Sequence, residues 1–258
     1  MVEHTRPHPR LPDTLPDGQR EPLELGTLFV PKNVKNPARL VIHFHGPESI
    51  ADIAAARLGG TAVIWMQLGT GSGAYGRPFA DPQLFPRLVA EAESKSHLTF
   101  SPIILTAWSA GYGAVRAILK APQNYARVDR VLLIDGMHAD YVGGVPGTGP
   151  DRESVLVPQD LEIFLQFARD AVAGRKRMIV THSEIFPGTF ASTTETTDWL
   201  VASLGLTLKA VLKRGPIGMQ QLSEARAGRF QLLGYAGNSA PDHEDQIQAL
   251  PDFLKLIK

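Results

Sequence analysis

Ser109 lies in Ala107-Trp108-Ser109-Ala110-Gly111, with a small residue two positions before it and another two after. A hydroxyl is a weak nucleophile at neutral pH and needs an adjacent base. The apolar run Pro102–Leu105 leads into this pentapeptide and a helical pattern leaves it, so the serine falls on a turn between strand and helix. Such a turn lifts the hydroxyl clear of a sheet. Crowding there explains the small neighbours, and the helix N-terminus brings backbone N–H groups to where an oxyanion would form. A serine in this place can also serve as a helix cap. The strand before it and the glycines at 111 and 113 favour the nucleophile.

Two other groupings could carry chemistry. Gly71-Ser72-Gly73-Ala74-Tyr75-Gly76 matches the GxGxxG dinucleotide pattern. Pro78 and Pro82 follow it, so no helix is expected there to receive a pyrophosphate, and the stretch reads as a flexible loop. Tyr75 then either lines a pocket or anchors the loop. His43-Phe44-His45 places two imidazoles on one face of a strand, as a period of two requires. With His138, His182 and an aspartate they could serve a metal-dependent hydrolase. That HxH resembles the amidohydrolase barrels, but such barrels need about 250 residues of βα units. This chain spends its first 22 residues on a Pro-rich arm and a further stretch on a hairpin, so the metal reading is a minor alternative.

The elements that must position these residues alternate. The chain has 258 residues, enough for one large domain, and its 43% apolar content suits a globular protein. Lys+Arg and Asp+Glu both number 26, and a net charge of zero offers no field to hold nucleic acid. The absence of cysteine excludes disulfides, zinc–thiolate sites and thiol nucleophiles. No apolar run reaches the length of a membrane span, and the N-terminus lacks a signal-peptide core. The expected setting is the cytoplasm, or a secreted or periplasmic form whose leader is absent.

Residues 1–22 read as an extended Pro-rich arm, and 23–258 as one domain. Strands are expected at Leu23–Pro31, Ala38–Phe44, Thr61–Gln67, Arg130–Ile134 and Arg177–Thr181, with a hairpin of Met219–Glu224 and Arg229–Tyr235. Ile50–Leu58 is Ala-rich and reads as a helix stopped by Gly59-Gly60, and helical spacing marks Pro82–Ser96, Gln159–Ala173 and the stretch after Glu244, where Pro251 must break or restart the helix. Ser192 with Glu195 fits a capping box. Strands alternating with helices predict an α/β fold, a mostly parallel central sheet with helices on both faces.

On these residues the chain resembles the α/β-hydrolase superfamily from about Leu23 onward. The resemblance implies an oxyanion loop after an early strand ending in an HG pair, here His45-Gly46. One oxyanion N–H would come from Ala110. The other usually follows the HG pair, but that residue is Pro47, which has no N–H. Gly46, Phe44 or the side chain of Tyr75 must then supply it. The resemblance puts the base between the last strand and the last helix, at His243. It puts the acid at Asp135, on the tip of its strand, or at Glu184, three residues past the next one; Asp140 and Asp242 are outside candidates.

The implied activity is that of a serine hydrolase, of carboxylic esters first and of peptides or amides second, acting on a small-molecule or acylated substrate without cofactor or metal. A binding protein that kept the fold without catalysis is the other class. From Asp135 to Arg177 the chain has no room for a large cap domain, and the cover would be the loop Tyr141–Pro158. Trp108, Tyr75, Phe79 and Tyr141 would wall the site.

Overall fold

The computed structural model describes residues 10–144, 146 and 155–258. They form an α/β structure on a mixed, mostly parallel sheet flanked by helices, the class expected from the alternation. The chain divides into two compact units, residues 10–133 with Ile247–Lys258, and Ile134–Gln246.

The first unit holds β1 (Gly18–Pro22), β2 (Thr27–Pro31), β3 (Ala38–Phe44), α1 (Glu48–Leu58), β4 (Thr61–Met66), α2 (Ser72–Gly76), α3 (Leu84–Ser96), β5 (Phe100–Trp108), α4 (Tyr112–Lys120), α5 (Pro122–Arg127) and all but the last residue of β6 (Arg130–Ile134). Its strand order is β1-β2-β4-β3-β5-β6. β3 runs parallel to both β4 and β5 and is buried along nearly its whole length, which is why its centre, Leu40-Val41-Ile42, is continuously apolar rather than alternating. Two features differ from expectation. Gly18–Pro22, read as arm, pairs antiparallel with β2. Its polar sequence GQREP is that of an edge strand, where one side needs no apolar cover. Ser72–Gly76, read as a flexible loop, forms a short helix with Tyr75 fully buried.

The second unit holds α6 (Glu162–Val172), β7 (Arg177–His182), α7 (Thr193–Ser203), β8 (Lys209–Arg214), β9 (Gln220–Ala227), β10 (Phe230–Tyr235) and most of α8 (Ala240–Gln248). Its strand order is β7-β10-β9-β8, with β10 parallel to β7 and the expected hairpin pairing β10 with β9. Ser192 and Glu195 form the capping box that opens α7. The last helix, α9 (Leu250–Ile257), belongs to the first unit. Pro251 restarts the chain there, its fixed φ suiting a first helical turn.

The expected cover Tyr141–Pro158 falls partly outside the described residues, which omit 145 and 147–154. Its two ends pair antiparallel: Tyr141 bridges Leu156, and Val142 N–H donates to the Val155 carbonyl at 2.8 Å. Among the described residues, no helix is long and apolar enough to cross a membrane.

Candidate active site

In the first unit β5 ends at Trp108, and Ser109 follows with φ 48°. A non-glycine residue pays for this left-handed conformation in strain, and such strain collects at functional sites. Ser109–Gly111 make a tight 3-10 turn and α4 opens at Tyr112. The small neighbours have a direct cause. Ala107 is fully buried and paired with Phe44 across the ladder, and a Cβ on Gly111 would collide with the Phe44 carbonyl oxygen. Ser109 itself is partly exposed, and Ala110, on the first turn, has an N–H with no intrahelical acceptor.

The HG turn lies against the same turn. β3 stops at Phe44, and His45 takes φ 72°, so the two-residue alternation ends before it. The pairing of His43 and His45 on one strand face is therefore corrected. His43 is buried, with Nδ1 2.8 Å from the Thr106 hydroxyl, and burial drives its pKa down to about 3. The His45 ring instead stacks on Trp108, centroids 5.1 Å apart and planes 16° from parallel. Among the described residues, no three His, Asp or Glu side chains gather as a metal site.

Three expected oxyanion groups are accounted for differently. The Tyr75 hydroxyl is buried and bonded to backbone: it donates to Gly69 O at 3.0 Å and accepts from Leu68 N–H at 3.3 Å. Tyr75 thus anchors the segment, and its one hydroxyl proton goes to Gly69 O, which corrects it as an oxyanion donor. Phe44 is fully buried and laddered on both sides, to Met66 and Ala107. The Gly46 N–H donates to Gln67 Oε1 at 3.0 Å.

In the second unit Asp135 follows β6 directly, with φ 43°. Its N–H donates to Thr181 O at 2.9 Å, and its carboxylate is buried. Oδ2 lies 2.7 Å from His243 Nδ1 and accepts from Ser183 Oγ at 2.5 Å, while Oδ1 accepts from the Ser183 N–H at 2.8 Å. Burial acts to raise the Asp135 pKa, but the bonds from His243 and Ser183 outweigh it and hold the carboxyl below its ordinary value. An ionised carboxylate only accepts, so His243 Nδ1 carries the proton of that bond. The His243 side chain is 24% exposed, enough to work at a surface.

Glu184 is not the partner of His243. Its backbone N–H donates to Gly237 O at 2.7 Å, and its carboxylate accepts from Gly237 N–H at 3.3 Å, a clamp on the loop that carries the histidine. In that loop Gly237 has φ 123° and a Cβ there would collide with Asp242. Asp242 accepts from the N–H and hydroxyl of Ser239 at 3.0 and 2.7 Å, a local role in opening α8. Asp140 is exposed, held by backbone bonds to the Asp160 carboxylate and the Val157 N–H. His138 and His182 are fixed by backbone carbonyls, Nδ1 to Ala191 O and to Ser183 O, both at 2.9 Å.

Ser183 is the partner of Asp135 that the sequence does not reveal. It stands one residue past β7 with no motif around it, and only the folded end of the strand brings it to the acid.

No family model and no curated sequence matches this chain. Solved structures do. An acetyl xylan esterase from Aspergillus awamori is 15% identical, with TM-score 0.51 over 88% of this chain and 93% of its own. A poly(3-hydroxybutyrate) depolymerase from Bordetella parapertussis is 16% identical, with TM-score 0.53 over 88% and 83%. A carboxyl esterase from Tuber melanosporum is 14% identical, with TM-score 0.52 over 95% and 88%. Likeness at this identity speaks to the fold, and the fold is that of the α/β-hydrolases.

Proposed function

We propose that this chain is a serine hydrolase of carboxylic esters, with Ser109 as nucleophile, His243 as base and Asp135 as the acid that orients it. The observation that carries the reading is the Asp135–His243 bond of 2.7 Å, which aims the Nδ1 proton at the buried Asp135 carboxylate and so makes Nε2 the nitrogen that takes up a proton in the reaction. The strained serine at the tip of β5 supports it from the other unit. The likeness to three esterases or depolymerases supports an ester as the substrate class.

The chemistry then runs in two halves. The Ser109 hydroxyl attacks the carbonyl carbon as its proton passes to His243 Nε2. Asp135 stabilises the imidazolium without taking the proton. The tetrahedral oxyanion receives the Ala110 N–H. Collapse expels the alcohol, which takes the proton from His243, and leaves an acyl group on Ser109. Water, deprotonated by the same histidine, attacks the acyl carbonyl and releases the acid and the serine. A small-molecule or acylated ester fits this scheme without cofactor or metal.

The second reading, a binding protein that keeps the fold without catalysis, is favoured by the turn at Pro47, where one backbone donor is missing and the Gly46 N–H is taken. Pre-steady-state mixing with p-nitrophenyl acetate separates the two. A serine hydrolase gives a burst of nitrophenol stoichiometric with enzyme, absent in Ser109→Ala. A wild-type chain no faster than the variant supports the binding protein.

A further inference from the structure

Acyl transfer needs two donors at the oxyanion, and the HG turn has lost one. Pro47 carries no N–H. The His45 N–H donates to Met66 O at 3.0 Å, and the Gly46 N–H donates to Gln67 Oε1 at 3.0 Å. Neither backbone donor of the turn is open.

The orientation of the Gln67 carboxamide follows from its partners. A backbone N–H can only donate, so the atom facing Gly46 is the oxygen. The same Oε1 lies 3.1 Å from His45 Nδ1, which must then carry its proton. That nitrogen is also 2.6 Å from the Tyr75 hydroxyl oxygen, whose own proton is spent on Gly69 O. With these protons placed, Oε1 is clamped on the turn and Nε2 is turned outward. Nε2 has two N–H groups and, among the described residues, one long contact, 3.4 Å to Gly69 O. Gln67 is exposed.

The surroundings put this side chain beside the nucleophile turn. Its clamp, His45, stacks on Trp108. A Cβ on Gly46 would lie 3.3 Å from the Trp108 ring. The segment after Gln67 returns to the same turn, where Ser72 leaves no room for a Cβ on Gly113.

We propose that the Gln67 carboxamide is the second oxyanion donor, supplying through Nε2–H what the backbone at Pro47 cannot, opposite the Ala110 N–H. The clamp holds the amide in place before the substrate arrives, so no reorganisation is spent when charge develops on the carbonyl oxygen. This assignment rests on the serine-hydrolase reading.

Gln67→Glu and Gln67→Ala test it together. Glutamate keeps the acceptor for Gly46 and His45 but puts a charged, acceptor-only oxygen where the donor was; alanine loses both donor and acceptor and adds no charge. The donor role predicts that each lowers kcat on p-nitrophenyl acetate about 10²- to 10³-fold with KM changed less than about threefold. Loss in Gln67→Ala with wild-type kcat in Gln67→Glu would mean a clamp alone and overturns the proposal. So does a raised or unchanged kcat in Gln67→Ala, which would mean that Gln67 only blocks the Gly46 N–H. If Gln67→Ala fails to fold, the isosteric glutamate variant carries the test. A fluorophosphonate adduct on wild-type Ser109 separates the two claims. With the adduct present and the variants unimpaired, only the Gln67 assignment falls; with no adduct, both fall.

Discussion

The carboxylate of Asp135 and Nδ1 of His243 meet at 2.7 Å across 108 positions of chain, and the carboxylate is held from its other side by both donors of Ser183. Glu184, the main alternative acid from the sequence, spends its polar groups on Gly237. The two can be told apart kinetically. Asp135→Asn should lower kcat on p-nitrophenyl acetate about 10⁴-fold, since the amide cannot hold the imidazole in its working tautomer. Glu184→Gln should cost less than about tenfold, because a carboxamide oxygen can still accept from Gly237 N–H. The reverse ranking would make Glu184 the acid.

Ser183 should show itself in stability as a function of pH. Asp135 has its pKa lowered in the folded state, so its ionised form contributes stability above the unfolded value of about 3.9, and that contribution is lost as the pH falls through the folded value. Ser183→Ala removes a hydrogen bond to a buried charge. It should cost about 1.5–3 kcal/mol in urea unfolding at pH 7, and less once Asp135 is protonated. A cost that does not shrink toward acid would mean that Ser183 acts by packing alone.

His43 predicts acid sensitivity elsewhere in the molecule. Its folded pKa is about 3 because burial opposes the charge, against about 6.5 unfolded. The folded state therefore binds fewer protons than the unfolded one, and stability is lost as the pH falls below about 6.5. His43→Gln should remove up to about 1.4 kcal/mol per pH unit of that slope, whatever it costs at neutral pH. Asp52, pushed up to about 6 mainly by burial, works with the opposite sign between about pH 4 and 6, so the comparison is between variant and wild type, not along one curve. Equal slopes in the two proteins would refute the account of His43.

The nucleophile turn should tolerate no side chain at Gly111. A Cβ there meets the Phe44 backbone, which is locked in two ladders and has no freedom to move aside. Gly111→Ala should destabilise by about 1–3 kcal/mol in urea unfolding, although the residue has ordinary helical φ and alanine is the better helix former. A neutral substitution would mean that the turn packs more loosely than its geometry requires.

How far the sequence carries depends on what marks each residue. Ser109, His45-Gly46 and Asp135 each stand at the end of an apolar run, where the change from strand to turn is written locally, and the parallel sheet follows from the same runs. The choice between Asp135 and Glu184 is not written there. It is made by which strand tip reaches His243, a matter of register between segments far apart in the chain. Ser183 carries no local mark at all. Tyr75 misleads because GSGAYG has the composition of a loop. Its helical turn is held from outside, by the burial of the ring and by bonds from its hydroxyl to Leu68 and Gly69. β1 misleads in the opposite way, since an edge strand can be as polar as an arm. Gln67 looks like the exposed end of a strand until Pro47 and the Gly46 N–H are considered with it.

The central claim is that Ser109 is a nucleophile. Incubation of the folded protein with a fluorophosphonate, followed by intact-mass analysis and peptide mapping, tests it most directly. The account predicts one phosphonyl group per chain, on Ser109, with none on Ser109→Ala and slow labelling of Asp135→Asn. A wild-type chain that stays unlabelled, or labels at another residue, would contradict it.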